Sequence, residues 1–323
     1  MIDIALVGNT QAQAGRLKRL LPIEARILLD DDTRSTRNKP LEVDAAVSIR
    51  FNEADIAAVS CRLLQCSGVG IDGIALAALP KTTTVCIVHE HEIPIAEYVM
   101  LGILEHEIGM SKAVATFEGG RWGDLFRGRA VHGEAAGKTV GIVGFGRIGK
   151  AIAVRARAFG MRVIGVNRSG APAPEADRIE RLDRLAWLLG ESDVVVLACP
   201  LTDETRGLIG TAEFAAMKPS ALLINVARGP IIDEDALHEA MVSRCIAAAL
   251  LDAWYTYPTL AAPNPTPSRY DFQELDNVRA TPHISGWTEG LMERRYRAIA
   301  DNLARLSKGQ PLLNVVWQNG EPA

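Results

Sequence analysis

At 323 residues, with 48% hydrophobic and 23% charged residues, the chain has the composition of an ordinary globular protein of about two domains. Lys and Arg total 35 against 39 Asp and Glu, a net charge of -4, which leaves no electrostatic footprint for nucleic acid or an anionic membrane. No apolar run approaches the roughly 20 residues that a membrane span needs.

In chain order, MIDIALVGNT reads as a first strand and not as a leader, having no basic stretch ahead of its apolar run. Short apolar, β-rich runs then alternate with helical patterns, the signature of an α/β protein with parallel sheets. Strands are expected at Ile2–Val7, Ala25–Leu29, Ala45–Ile49, Leu63–Ser67 and Thr84–Val88, with helices at Asn52–Cys61 and Gly73–Leu79 between them. Five strands make one small doubly wound sheet. A long helix from about Ile95 to Phe117 follows, and then an irregular Gly-rich stretch. A second series of strands runs through Thr139–Val143, Arg162–Val166, Val194–Ala198, Ala221–Val226, Ala247–Ala253 and Val278–Thr281. The stretch Pro258–Pro267 holds four of the 16 prolines and reads as an extended surface loop. A last amphipathic helix from Trp287 to Lys308 places Leu291, Tyr296, Ile299, Leu303 and Leu306 on one recurring face.

The passage KTVGIVGFGRIGKAIAVRARAFGMRVIGVNRS carries the strongest chemical signal. A strand runs into Gly144-x-Gly146-x-x-Gly149, a helix follows at once, and a second strand completes the βαβ unit. Gly144 permits the tight turn, Gly146 lets backbone approach a pyrophosphate, and Gly149 allows close helix–strand packing. The backbone of Arg147 and Ile148 then lies at a helix N-terminus, where unpaired N–H groups and the helix dipole favour negative charge. The second strand ends in Asn167, Arg168 and Ser169, where NAD-specific sites place an Asp or Glu for the ribose hydroxyls. With no carboxylate to repel it, a 2′-phosphate can be bound by a guanidinium with two small polar neighbours. NADP is therefore the expected cofactor. If Arg168 is only a solvated loop residue, NAD is accepted as well.

Several segments in order resemble the D-isomer-specific 2-hydroxyacid dehydrogenases: SGVGIDGIALAALPK, IPIAEYVM, LACPLTDETRGLIG, MKPSALLINVARGPIIDEDAL, LLDAW and NVRATPHISG. The resemblance covers nearly the whole chain and points to glyoxylate/hydroxypyruvate reductase-like members. It implies two doubly wound parallel-sheet domains, a Rossmann cofactor domain (95–287) inserted into a flavodoxin-like substrate domain formed by 1–94 and 288–323. It also implies further cofactor contacts at Cys199, Pro200, Thr205, Val226, Ala227, Asp252 and Gly286, with Asp252 on the nicotinamide carboxamide. Val69 and Gly70 would offer backbone N–H groups to a substrate carboxylate. A cytoplasmic homodimer acting on a small carboxylate is expected.

Hydride transfer to a 2-oxo acid needs a cation for the carboxylate and an acid for the new alkoxide. Arg228, at a strand end in NVARG, supplies the planar charged fork. His283, in TPHISG, is the natural acid/base, while His106, His132 and His238 read as packing or surface residues. The family's pattern places a glutamate beside the histidine; on that frame LLDAWYTYP puts Tyr257 there. Formate dehydrogenases carry a neutral glutamine at this place, so oxidation of a small anion such as formate or phosphite stays open, as does a dinucleotide-sensing corepressor. His91 in HEHEIPIAEY is expected to face the substrate, and so is Arg50 at the end of its strand. The pair His89-x-His91 lacks an evident third ligand, and no metal is expected. Cys61, Cys66, Cys86, Cys199 and Cys245 are scattered, which suits reduced thiols in a cytosol.

Overall fold

The computed structural model describes residues 1–29, 39–259 and 262–323. These form two compact units, Met1–Glu90 with Thr288–Ala323, and His91–Trp287. The chain begins with β1 (Ile2–Leu6), α1 (Ala14–Leu20), β2 (Ala25–Leu28), β3 (Leu41–Ser48), α2 (Glu53–Ala58), β4 (Val59–Cys66) and β5 (Thr84–Cys86). The second unit follows with α3 (Glu92–Ile108), α4 (Met110–Thr116), α5 (Trp122–Arg127), β6 (Thr139–Val143), α6 (Arg147–Ala158), β7 (Arg162–Asn167), β8 (Arg178–Arg181), α7 (Leu185–Glu191), β9 (Val194–Leu197), α8 (Thr211–Ala216), β10 (Leu222–Asn225), α9 (Glu234–Val242), β11 (Ala248–Leu251) and β12 (Val278–Ala280). The chain returns to the first unit with α10 (Glu289–Ser307), β13 (Val315–Gln318) and β14 (Glu321–Pro322).

Each unit is built on a seven-stranded sheet. The second has the order β12-β11-β10-β9-β6-β7-β8 and is parallel throughout. Its strands are apolar on both faces because helices cover both. Val143, Ile164, Val166, Leu197 and Leu223 enter one core. Their alternates Ile142, Val163, Val196 and Ile224 enter another, shared with Ile95, Val99 and Ile103 of α3. The result is a Rossmann-type α/β unit. The first unit orders its sheet β14-β13-β5-β4-β3-β1-β2, and α10 packs Met292, Tyr296, Ile299 and Leu303 onto Ile4, Leu6, Val47 and Leu63.

Several elements depart from the sequence reading. The helix expected over Asn52–Cys61 stops at Ala58, and Val59 already begins β4, paired with Leu41. The Gly73–Leu79 helix is only one 3-10 turn at Leu76–Ala78. Phe51 takes the backbone ahead of it, donating to Gly73 O at 3.0 Å and accepting from Ala75 N at 2.9 Å. The helix expected to run to Phe117 ends at Ile108, because Gly109 takes φ 65° and closes it in the left-handed conformation. The five-strand sheet of the first unit gains β13 and β14, joined at Asn319 (φ 58°) and Gly320 (φ 84°). Asn-Gly is the dipeptide that suits such a two-residue hairpin turn. Strand β8, of sequence RIER, was also missed; as an edge strand it carries charge and not an apolar run. Within the expected loop Pro258–Pro267, residues 260 and 261 lie outside the described residues.

Candidate active site

The glycine turn, Arg228, Tyr257 and His283 all lie within the second unit. Strand β6 feeds the glycine-rich turn, and each glycine answers to a different constraint. Gly144 has φ +95°, and a Cβ there would stand 2.5 Å from Cys199 N. A Cβ on Gly149 would stand 2.5 Å from the Gly144 carbonyl oxygen. Gly146, the N-cap of α6, has nothing within 4 Å of where its Cβ would be, and no side chain caps the helix. The open space therefore sits where backbone donors emerge with no acidic residue in the first turn. That arrangement fits a dinucleotide diphosphate.

At the end of β7, Asn167 builds the turn that follows. Its Oδ1 accepts from Gly170 N at 2.6 Å and from Ser169 Oγ at 3.1 Å, while Ser169 Oγ accepts from Ala171 N at 3.2 Å. Asn167 and Ser169 are thus engaged locally, and Arg168 is exposed. Across the sheet, Thr205 is also a loop builder, donating to Pro200 O at 2.7 Å and accepting from Thr202 N at 2.8 Å. Cys199 is buried against the glycine turn, and burial pushes its thiol up to about 11. Its thiol therefore stays protonated and unreactive at neutral pH.

Beyond the end of β10, Asn225 is 1% exposed and holds the turn that carries Arg228. Its Nδ2 donates to Arg228 O at 2.9 Å and its Oδ1 accepts from Ala227 N at 3.0 Å. Arg228 is half-buried, with Nη1 donating to Ala227 O at 2.9 Å. Gly229 lies so close to the next loop that a Cβ would stand 2.4 Å from Trp254 C. The Arg228 turn and the loop after β11 therefore form one packed surface.

His283 follows β12 with φ 57°, a left-handed conformation uncommon for a residue with a side chain. Asp252, 1% exposed, holds it in place. Its carboxylate accepts from Ile284 N at 2.7 Å, Ser285 N at 2.9 Å and Thr281 Oγ1 at 2.6 Å. Since Thr281 gives its hydrogen to Asp252, it must accept from Tyr98 OH, 2.6 Å away. Burial, together with the Asp252 charge, pushes the Tyr98 phenol up to about 12 despite the Thr281 bond. Trp254 Nε1 donates to Thr281 O at 2.8 Å.

The ring of His283 is exposed, and its Nδ1 lies 2.7 Å from Tyr257 OH. The Tyr257 oxygen also accepts from Trp254 N at 3.2 Å. The neutral partner expected from the sequence therefore makes the contact. Tyr257 is anchored in turn by its loop: Tyr255 N and Thr256 N donate to Pro267 O at 3.2 and 3.0 Å. Glu234 accepts from Ser268 Oγ at 2.7 Å, from Arg269 N at 2.7 Å and from Arg269 Nε at 2.8 Å. Burial opposes the charge on Glu234, but the Ser268 and Arg269 bonds outweigh it and hold the carboxyl below its ordinary range.

Residues 100–285 match the family model of the D-isomer specific 2-hydroxyacid dehydrogenase NAD binding domain. The chain belongs to this family. The glyoxylate reductase of Thermococcus onnurineus is 34% identical over 286 residues, 84% of this chain and 82% of its own length. A second glyoxylate reductase, from Thermococcus gammatolerans, is 40% identical over 186 residues, 58% of this chain and 52% of its own. The D-3-phosphoglycerate dehydrogenase of Methanocaldococcus jannaschii is matched over 46% of its length, so the chain spans about half of these last two relatives. Among solved structures, a D-isomer specific 2-hydroxyacid dehydrogenase from Xanthobacter autotrophicus, in complex with NADPH and MES, superposes with TM-score 0.77 at 27% identity, covering 98% of both chains.

The structure brings Tyr257 and His283 together, and it places Arg228 on the turn packed against the Trp254–Tyr257 loop. His91 caps α3 and lies beside Gly286, its Cδ2 3.5 Å from where a Cβ there would be. Val69, Gly70 and Arg50 belong to the first unit; Val69 and Arg50 are exposed, and the Arg50 stem lies against Gly73. Sequence reasoning missed Asn225, Thr281, Tyr98 and Glu234. Only Asn225 and Thr281 gave a signal, each lying within three residues of a predicted catalytic residue. Among the described residues, no three His, Cys, Asp or Glu side chains are placed to hold a metal ion, and no helix is long and apolar enough to cross a membrane.

Proposed function

We propose that the protein is an NADP(H)-dependent reductase of a small 2-oxo acid of the glyoxylate or hydroxypyruvate kind. The observation that carries this reading is the Tyr257–His283 contact beside the Arg228 turn. In the neutral ring, Tyr257 donates to Nδ1 and leaves the hydrogen on Nε2; in the imidazolium, Nδ1–H donates to the Tyr257 oxygen instead. Either way Nε2–H is the group offered to substrate. Arg228 binds the carboxylate and polarises the ketone, and His283 passes its proton to the alkoxide oxygen as C2 is reduced. The dinucleotide, when bound, supplies the hydride. The Gly144–Gly149 turn, with the Arg147 and Ile148 amides, holds its diphosphate, and Arg168 favours the 2′-phosphate. Val226, Ala227, Pro200, Thr205 and Gly286 are assigned to further contacts with the dinucleotide, and Val69 and Gly70 to the substrate carboxylate. The Xanthobacter relative's complex with NADPH supports the cofactor assignment.

The protein works, on the same reading, as a cytoplasmic homodimer. Phe117, Trp122 and Phe126 expose an aromatic cluster, with Phe117 and Trp122 centroids 6.1 Å apart, of the kind a second copy would cover. The test is an NADPH-oxidation screen against 2-oxo acids, with formate and phosphite oxidation as a second arm. Turnover of a 2-oxo acid that disappears in Arg228→Ala and His283→Ala is expected. Turnover of the anions alone would overturn the reading.

A further inference from the structure

We propose that Arg181 is a second determinant of nucleotide choice, a cation that shares the 2′-phosphate of NADP(H) with Arg168. The inference rests on the NADP reading above and adds a residue twelve positions beyond Ser169. Strands β7 and β8 are parallel neighbours, and their register sets Asn167 opposite Arg181. Both residues therefore lie at the carboxyl edge of the sheet, where open α/β folds bind their ligands.

The face is settled by the packing. Gly165 pairs with Ile179, and a Cβ on Gly165 would meet Phe145 Cδ2 at 2.6 Å and Ile179 Cδ1 at 2.8 Å. Phe145 belongs to the glycine-rich turn and is buried in the core under α3 and α6, against which Ile179 packs, so Ile179 faces the side of the sheet that α6, the helix of the glycine turn, covers. Two residues on, Arg181 faces the same way. Its stem then crosses the turn that follows Arg168. Gly170 has φ +69°, and a Cβ there would stand 2.7 Å from Arg181 Cγ. The absence of a side chain at Gly170 is what lets the arginine lie over this turn.

The charges sort themselves in the same sense. On the opposite face of β8, Arg178 Nη2 donates to Glu180 at 2.6 Å, and its guanidinium sits 4.4 Å over the Trp187 ring. That cation is already satisfied. Arg168 and Arg181 are both exposed, and among the described residues neither has an ion-pair partner. With the Asn167 oxygen taken up by Gly170 N and Ser169 Oγ, the turn offers a dianion chiefly these two guanidinium groups.

The test compares NADPH, NADH and 2′,5′-ADP binding, by dinucleotide fluorescence and calorimetry, in wild type, Arg168→Ala, Arg181→Ala and Arg181→Lys. Melting curves in the absence of ligand check the fold. Arg181→Ala is expected to weaken NADPH and 2′,5′-ADP by about tenfold or more, as loss of a charge-assisted contact should, and to leave NADH within about twofold. Arg181→Lys should fall between the two. If wild type prefers NADPH and Arg168→Ala erodes that preference while Arg181→Ala does not, the proposal fails and the NADP reading stands. If wild type binds NADPH and NADH equally, the NADP reading itself falls, and this inference with it.

Discussion

Replacing Tyr257 tests the centre of the proposed mechanism, because one hydroxyl serves two groups. In Tyr257→Phe, His283 Nδ1 loses its partner at 2.7 Å and the Trp254 amide loses its acceptor at 3.2 Å. Trp254 is 7% exposed, so its N–H is left without a partner away from water. An orphaned buried donor costs about 1–3 kcal/mol, which sets the expected loss of stability. The bond to the imidazolium is worth a similar amount in the reaction, about 1.5–3 kcal/mol, or a ten- to hundredfold fall in kcat/KM. Tyr257→Glu tests the charge. A glutamate is shorter than tyrosine, and its carboxylate would stand about 5 Å from the ring. At that distance Coulomb's law with a dielectric between about 20 and 80 gives roughly 0.8–3 kcal/mol, or about half a unit to two units of pH. A nearby negative charge stabilises the imidazolium, so the pH above which reduction fades should move upward by that amount. The measurement is kcat/KM for ketone reduction against pH in wild type and both variants. A Tyr257→Phe enzyme with wild-type kcat/KM, together with an unmoved limb in Tyr257→Glu, would refute the assignment of Tyr257 as the partner of His283.

The glycine turn yields a contrast between two single methyl groups. Gly144→Ala should destabilise the protein strongly, since its φ is +95° and the Cβ would strike Cys199 backbone, whereas Gly146→Ala should melt as wild type yet bind dinucleotide at least about tenfold more weakly; differential scanning calorimetry and a binding titration read both. Asn225→Ala should cost about 1–3 kcal/mol of stability from the unpaired Ala227 N–H, with the Arg228 carbonyl keeping only Ile231 N at 3.3 Å, and should raise KM more than an equally destabilising core change elsewhere; denaturant titration and steady-state kinetics check this. Glu234 has a folded carboxyl held below its ordinary value of 4.5, so its contribution is complete above that pH and is lost as pH falls through the depressed value. Glu234→Gln should therefore lower the melting temperature at neutral pH and narrow its gap to wild type on acidification below about pH 4.

The sequence by itself determined the α/β class, the order of most strands and the position of the dinucleotide turn. Those properties follow from local causes: β-branched runs buried on both faces, and a glycine spacing that only one strand–turn–helix geometry needs. It also identified Tyr257 as the residue beside His283, although 26 positions separate them, because the surrounding motifs carried a known frame. It went astray where a local pattern yielded to a distant partner. The Gly73–Leu79 segment has helical spacing, but Phe51 captures its backbone. Strand β8 looks polar because an edge strand need bury only one face, and it forms because β7 offers free ladder groups. Only the tertiary structure showed that Asp252 supports the left-handed His283 turn through three bonds, that Glu234 fastens the loop of Tyr257 from another helix, and that Arg181 lies opposite Asn167. These relations join residues up to 35 positions apart. Nothing in the spacing of such residues encodes them, since they arise when parallel strands align their carboxyl edges and bring loops from separate crossovers onto one rim.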